Sequence, residues 1–134
     1  MNQEERDRLV EEIRTTAIGI TVSPELAGMF PVRKEEELMV PTRNGETHVY
    51  LYHPFNEKQE QPLPLFVNIH GGGFVKGMRE QDIVFSRNIA SNMNCRVINI
   101  DYTTAPEQKY PYALHQCYDV VKWASDHAEE LGID

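Results

Sequence analysis

The chain has few cysteines, no excess of basic residues and no long apolar run. Its 134 residues contain 13 lysines and arginines against 21 aspartates and glutamates, a formal net charge of −8. Nucleic acids and anionic membrane surfaces both attract basic patches, so we expect neither as a partner. No stretch approaches the roughly 18 apolar residues of a membrane span, and the charged first residues do not resemble a signal peptide. We therefore expect a cytoplasmic protein without stable membrane anchoring.

The two cysteines, Cys95 and Cys117, do not indicate a disulfide framework or a metal site. Neither belongs to a C-x-x-C pair, and His115 near Cys117 has no further ligand at metal spacing. Free cysteine packs as a small hydrophobe, so we expect two buried, reduced thiols. The sequence also lacks G-x-G-x-x-G and G-x-x-x-x-G-K-[S/T], which argues against a phosphate-binding module. We expect no metal and no cofactor.

The first 30 residues predict two helices. Asn2 and Glu5 have the spacing of a capping box, and apolar residues then recur at helical spacing up to about Gly19. Ser23-Pro24 is a second helix start, with serine as the N-cap and proline at the first helical position. Residues 1–30 therefore form a helical amino-terminal segment. It either packs on the domain or is part of a lid over a substrate cleft.

Residues 31–134 predict an α/β fold. Asn44-Gly45 separates two strand-like runs and favours a type I′ hairpin turn, because both central residues of that turn need positive φ. Strand-like and helix-like runs then alternate, at residues 65–69, 82–93, 96–101 and 114–131. This order predicts a mixed, mostly parallel sheet with an antiparallel first hairpin and helices on both faces.

Three consecutive glycines, Gly71 to Gly73, follow the strand-like run that ends at His70. Glycines are used where the backbone needs positive φ or approaches another main chain closely. A glycine turn with outward N–H groups can bind an anion. Ligands of such sheets bind beyond the carboxyl ends of the strands, and Asp101 to Glu107 also follows a strand. The sequence predicts both motifs on one rim of the sheet.

These two motifs, His70-Gly71-Gly72-Gly73-Phe74 and Asp101-Tyr102-x-x-Ala105-Pro106-Glu107, resemble the hormone-sensitive-lipase-like branch of the α/β-hydrolases. The resemblance runs from about Glu35 to the last residue and includes Tyr110-Pro111-Tyr112-Ala113-Leu114. It implies the amino-terminal half of an α/β-hydrolase fold. It also implies an esterase or lipase-type enzyme, in which an activated serine hydrolyses small carboxylic esters with short or medium acyl chains.

By this resemblance, Gly72 and Gly73 would donate their backbone N–H groups to the tetrahedral oxyanion. A preorganised donor of that kind is worth about 10²–10³ in rate. Gly71 would make the turn, and His70 and Phe74 would support the loop. His70 would act through bracing hydrogen bonds and not as the general base.

The same resemblance implies a buried polar network at the rim, formed by Asp101, Tyr102 and Glu107. Family members typically have Arg-Leu where this chain has Thr103-Thr104. The missing guanidinium could have paired with a carboxylate, so we expect a different local network here.

No G-x-S-x-G nucleophile elbow occurs in the sequence. None of the four serines is flanked by glycines, and they are Ser23, Ser86, Ser91 and Ser125. We expect residues 31–134 to form a partial core that ends before the elbow strand. The chain would then supply the oxyanion-hole half of an esterase, lack the Ser-Asp-His triad and be inactive alone. The alternative is a non-catalytic binding or scaffold protein derived from that half-fold.

The strand Leu65 to Ile69 predicts a self-association surface. In the family this strand pairs with the elbow strand, so without that partner it would be an open, apolar sheet edge. Such edges recruit another chain. We therefore expect a homodimer or a higher oligomer that pairs through Leu65 to Ile69.

Overall fold

The computed structural model describes residues 1–56 and 62–134. In these ranges the helices and strands follow one another in this order: α1 (Gln3–Thr15), α2 (Pro24–Gly28), β1 (Val32–Thr42), β2 (Gly45–Pro54), β3 (Leu65–Ile69), α3 (Glu80–Met93), β4 (Arg96–Asp101), α4 (Tyr112–Asp126) and α5 (Ala128–Leu131).

The strands form one mixed sheet in the order β1-β2-β4-β3. β1 and β2 form the predicted antiparallel hairpin, β2 pairs antiparallel with β4, and β3 runs parallel to β4. The α/β class, the mixed sheet and its first hairpin are thus confirmed. The described part of the sheet is not mostly parallel, however. Because β2 lies between β1 and β4 and runs opposite to both, only β3 and β4 share a direction with a neighbour.

The hairpin turn differs from the predicted type I′ turn. Thr42 pairs with Gly45, so the central residues are Arg43 and Asn44. Gly45 has φ of +95°, but Asn44 does not have positive φ. Contacts with α4 fix this geometry: the Arg43 guanidinium lies 2.6 Å from the Asp119 carboxylate, and the Arg43 N–H donates to the same carboxylate at 2.9 Å. Tertiary contacts therefore override the local Asn-Gly signal.

Helices cover both faces of the sheet, as predicted. The side chains of β4 alternate between two apolar cores, and Ile98 and Ile100 lie in the core that is shared with α4. Val97 lies in the other core, which it shares with Ala90 of α3. The larger core also contains Val40, Val49, Leu51, Cys117, Val120, Ala124, Leu131 and Ile133. The period of two along β4 thus places one helix above the sheet and one below it.

The helices in the first 30 residues begin where the caps predict. The Asn2 side chain accepts from the Glu5 N–H, and the Glu5 carboxylate accepts from the Asn2 N–H, both at 2.8 Å. Ser23 caps α2 by accepting from the N–H of Leu26 at 3.1 Å. α1 ends at Thr15, before the predicted end near Gly19, and neither α1 nor α2 has a buried side chain. The division of the chain at residue 30 stays a prediction.

The long helix predicted over residues 114–131 is divided in two. α4 ends at Asp126, because His127 leaves helical geometry with φ of −113° and ψ of 24°. α5 follows directly, and Gly132 ends it with φ of +62°. Gly132 is therefore the C-cap that the sequence predicted.

Both cysteines are buried and unpaired, as predicted. Burial raises the pKa of the Cys117 thiol to about 11, so the thiol is neutral at pH 7 and unreactive as a nucleophile. Among the described helices, none combines the length and the apolar character that crossing a bilayer requires.

We expect the substitution Ile98→Ala to reduce the free energy of unfolding by about 2–5 kcal/mol, because it leaves a cavity at a side chain that is 0% exposed. Urea denaturation followed by circular dichroism measures the change. Ile20→Ala is the matched control, since Ile20 is 63% exposed, and it should cost less than about 0.5 kcal/mol. Equal losses for the two variants would contradict this assignment of the core.

Candidate active site

The turn after β3 is built on main-chain conformations that favour glycine. Gly72 has φ of +132° and Gly73 has φ of +62°. A Cβ atom at Gly72 would lie 2.7 Å from the carbonyl oxygen of Lys76, a distance that real Cβ atoms do not show. Phe74 also has positive φ, at +61°. Gly71 lacks positive φ and a Cβ there would meet nothing within 4 Å, so its conformation does not require glycine, and its role in making the turn stays a prediction.

The turn leaves two backbone donors without a partner inside the described part of the chain. The Gly72 carbonyl accepts from the N–H groups of Val75 at 3.2 Å and Lys76 at 2.9 Å, which closes the turn. The N–H groups of Gly72 and Gly73 donate to no group in the described residues. Successive unengaged N–H groups in such a turn can bind an anion or a developing oxyanion.

His70 supports the turn from below. Its ring is 4% exposed and stacks on the ring of Tyr102, with 4.1 Å between centroids and 5° between planes. Nδ1 lies 2.8 Å from the Gly71 carbonyl oxygen, and a carbonyl only accepts, so Nδ1 carries the proton. The Tyr102 hydroxyl donates to the His70 carbonyl at 2.7 Å. These contacts hold both the ring and the main-chain carbonyl of His70 in place.

The two sequence motifs are joined directly to each other. The Ala105 N–H donates to the Phe74 carbonyl at 2.7 Å. Together with the hydrogen bond from Tyr102 to His70, this bond places the glycine turn and the Asp101–Glu107 segment side by side. Both motifs therefore lie on one rim of the sheet, as the topology predicts.

The expected network of Asp101, Tyr102 and Glu107 takes a different form. Glu107 is not buried: its side chain is 54% exposed and pairs with Arg14 of α1 at 2.6 Å. That hydrogen bond lowers the pKa of the Glu107 carboxyl to about 2. Asp101 lies at the end of β4 opposite His48. Tyr102 bonds to His70 as described above, so the described residues show no single network that links the three.

Arg14 is a rim residue that sequence reasoning missed. Thr103-Thr104 stands where an arginine was expected, and the departure indicated a different network without identifying its members. In the structure the Arg14 guanidinium supplies the partner of Glu107 and also donates to the Ala105 carbonyl at 3.1 Å. Because Arg14 and Glu107 are 93 positions apart, no local pattern joins them.

Gln116 is a second residue that sequence reasoning missed. It is 3% exposed, and its side-chain oxygen accepts from the Thr103 N–H at 2.8 Å. Its amide nitrogen donates to the Thr103 hydroxyl at 3.2 Å and to the buried Thr47 hydroxyl at 3.1 Å. The available signal was a polar residue on the otherwise apolar face of α4. Gln116 thus anchors the segment after β4 to the body of the domain.

An apolar cavity of about 480 Å³ lies beside the glycine turn. Its wall contains side chains from the ends of β3 and β4, from the turn and from α4, among them Ile69, Phe74, Tyr102, Tyr110, Leu114 and Cys117. Small-molecule sites are concave and mostly apolar, with a few polar groups that fix orientation. The cavity and the free N–H groups together suit a neutral ligand that develops negative charge on one oxygen.

The four serines occupy other places in the fold. Ser23 caps α2, and Ser86 is fully buried within α3. Ser91 lies in α3 and Ser125 in α4. Among the described residues, no group of three His, Cys, Asp or Glu side chains could hold a metal ion.

The sheet with helices on both faces and the glycine turn at its rim are those of an α/β-hydrolase. A sequence model of the family described as "alpha/beta hydrolase fold" matches residues 66–134, just over half of the chain. The protein therefore belongs to this family, and to the hormone-sensitive-lipase-like branch that the two motifs predicted.

Two of the curated relatives are named as esterases. The arylesterase of Saccharolobus solfataricus is 33% identical over 104 residues, which cover 78% of this chain and 33% of the relative. The versiconal hemiacetal acetate esterase of Dothistroma septosporum is 32% identical over 125 residues, covering 92% of this chain and 37% of the relative. The solved structure of an esterase from Pyrobaculum calidifontis aligns with a TM-score of 0.74 at 29% identity, over 98% of this chain and 38% of that one. The chain thus spans between 33% and 38% of the length of these relatives.

We expect Gly72→Ala to destabilise the fold by about 1–3 kcal/mol, because alanine is strained at φ of +132° and its Cβ would overlap the Lys76 carbonyl. Gly71→Ala is the matched control, since its Cβ meets open space and its φ is not positive. Urea denaturation of the two variants measures the difference. Equal stability of the two would show that the turn does not depend on the Gly72 conformation.

Proposed function

We propose that this chain is part of a carboxylic-ester hydrolase and supplies the oxyanion-hole half of its active site. The observation that carries the proposal is a pair of N–H groups, at Gly72 and Gly73, that have no acceptor among the described residues and lie beside an apolar cavity. The esterase names of the relatives support it. The substrate is a small ester with a short or medium acyl chain, whose apolar part occupies the cavity.

The residues around the turn act by preorganisation. When an activated serine attacks the ester carbonyl, negative charge develops on the oxygen, and the N–H groups of Gly72 and Gly73 stabilise it at their fixed positions. His70, Gly71 and Phe74 hold the loop that carries these donors. Nδ1 of His70 donates to the Gly71 carbonyl and the ring is stacked on Tyr102, so His70 positions the turn. Its other ring nitrogen, Nε2, is buried, and His70 is not the proposed acceptor of the serine proton.

In this proposal the 134 residues carry no Ser-Asp-His triad, and the chain alone, a cytoplasmic protein, does not hydrolyse esters. The serines lie at a helix cap or within helices, where no strand-to-helix elbow exposes a hydroxyl. A non-catalytic binding or scaffold protein that kept the half-fold is the second candidate. In the described residues β3 is an edge strand, which favours it, since an unpaired edge can bind a further strand.

We expect no covalent adduct when the 15.5 kDa chain is treated with a fluorophosphonate ester and weighed intact by mass spectrometry. A mass shift would mean that one of the four serines is activated, and the proposed absence of the nucleophile would be wrong.

The reading frame of the gene distinguishes the hydrolase from the scaffold protein. A G-x-S-x-G codon pattern downstream of residue 134 supports the hydrolase, and a stop codon directly after residue 134 supports the scaffold.

The β3 edge carries the proposed homodimer. The Arg96 N–H donates to the Pro64 carbonyl, whereas Leu63 exchanges hydrogen bonds with Gly132 and Asp134 on the opposite side. Backbone groups alternate along a strand, so the odd-numbered residues of β3 direct theirs away from β4. Phe66 and Ile69 on this strand are 38% and 52% exposed. A second copy of the chain that pairs along this edge would form hydrogen bonds with the backbone groups of the odd-numbered residues. It would also cover the exposed side chains of Phe66 and Ile69.

We expect the chain to sediment as a dimer or a higher oligomer and Ile69→Lys to shift it toward monomer, because a charge on an edge strand opposes strand pairing. Met39→Lys is the matched control: Met39 is 53% exposed and lies on β1, at the opposite edge of the described sheet. Analytical ultracentrifugation distinguishes the species. A monodisperse monomer for the unsubstituted chain would contradict association through β3.

A further inference from the structure

α1 is attached to the domain without a buried apolar side chain. None of its residues is buried, and Leu9 is 44% exposed. A 13-residue helix is marginal by itself in water, and most helices in proteins depend on packing an apolar face. Val10 and Ile13 are only partly buried, so polar contacts must add to the attachment of α1.

The Arg14 side chain, in the last turn of α1, makes that contact. Its Nε donates to the Val75 carbonyl at 3.1 Å, and its Nη2 donates to the Ala105 carbonyl at 3.1 Å. Nη1 and Nη2 reach both oxygens of the Glu107 carboxylate at 2.8 and 2.6 Å. One planar guanidinium thus joins α1 to the glycine-turn segment and to the segment after β4.

Lys76 also attaches α1 to the domain, and here the donor belongs to the domain and the acceptors to the end of α1. It is 6% exposed, and its Nζ donates to the carbonyl of Arg14 at 3.2 Å and also to the carbonyl of Thr16. These carbonyls belong to the C-terminal end of α1, where a helix has acceptors without intrahelical partners and favours a cation. The main chain of Lys76 closes the turn, because its N–H donates to the Gly72 carbonyl.

We propose that Arg14 is a positioning residue for the backbone donors Gly72 and Gly73. Arg14 fixes the Val75 carbonyl, and the Val75 N–H donates to the Gly72 carbonyl. Docked α1 therefore holds the turn in the conformation that presents its two free N–H groups, and release of α1 loosens it. The role in catalysis rests on the proposed function, whereas the coupling between α1 and the turn does not.

An isolated surface ion pair would not have this effect. Exposed pairs contribute little, because solvent screens them and both side chains lose entropy. The Arg14 contacts differ in that two of the acceptors are main-chain carbonyls of the two motif segments. A lysine at position 14 keeps the charge opposite Glu107 but lacks the fork of donors that also reaches the Val75 and Ala105 carbonyls.

The test is amide hydrogen exchange and ¹H–¹⁵N NMR on the 134-residue chain. In Arg14→Ala we expect exchange of the Val75 and Lys76 amides to rise about tenfold or more, and the Gly72 and Gly73 resonances to shift. Arg14→Lys should restore part of the protection. Arg8→Ala is the matched control, since Arg8 is an exposed arginine of the same helix, and it should leave these amides unchanged.

Turn amides that behave alike in Arg14→Ala and Arg8→Ala would overturn the coupling. Far-UV circular dichroism verifies that each variant is folded. Should Arg14→Ala fail to fold, Arg14→Lys gives the same comparison with a milder change, and an effect no larger than that of Arg8→Ala would again overturn the coupling. Neither readout requires ester hydrolysis. A stop codon directly after residue 134 would therefore count against the proposed function and leave the coupling untouched. Unchanged turn amides in Arg14→Ala would overturn the coupling and leave the proposed function untouched.

Discussion

The rim of the sheet depends on the close approach of two main-chain segments, at Gly72 and at Lys76. No side chain fits between Gly72 and the Lys76 carbonyl, and the Gly72 carbonyl in turn accepts from Lys76 and Val75. This packing turns the chain back directly after β3 and leaves two consecutive N–H groups without an acceptor among the described residues. The conformation continues into Phe74, whose φ of +61° is unfavourable for a residue with a side chain. The hydrogen bond from Ala105 to the Phe74 carbonyl helps to hold that strained residue.

The domain uses two kinds of interaction in two places. Apolar burial on both faces of β4 holds the sheet and its helices together, and that burial is the dominant favourable term in folding. The rim instead relies on directional hydrogen bonds between main-chain groups and the side chains of Gln116, Tyr102 and Arg14. Hydrogen bonds fix distances and angles that apolar packing leaves adjustable. A site that works through backbone donors needs that geometric control, because an oxyanion is stabilised only by donors that already lie at the right distance.

The sequence predicted what local patterns determine. Caps at Asn2 and Ser23, the end at Gly132 and the strand–glycine-turn order were all legible, since each depends on residues within a few positions of one another. The prediction of a type I′ turn at Asn44-Gly45 was wrong because α4 holds the loop through Asp119, which lies 76 positions from Arg43. Arg14 was missed for the same reason: it looks like any charged residue on a solvated helix. Its importance comes from carbonyls that only the folded chain brings within reach.

In the described residues β3 is an edge strand of the sheet, and its Ile69 also lines the apolar cavity. A polypeptide that pairs along β3 must therefore lie against the cavity wall, whether it is a second copy or another segment. Such a cover removes water from the neighbourhood of Gly72 and Gly73. Electrostatic interactions strengthen as the local dielectric constant falls, so the same N–H groups stabilise a developing charge more strongly behind the cover than in solvent. On the proposed function, the contact that completes the sheet is thus also the one that makes the turn effective.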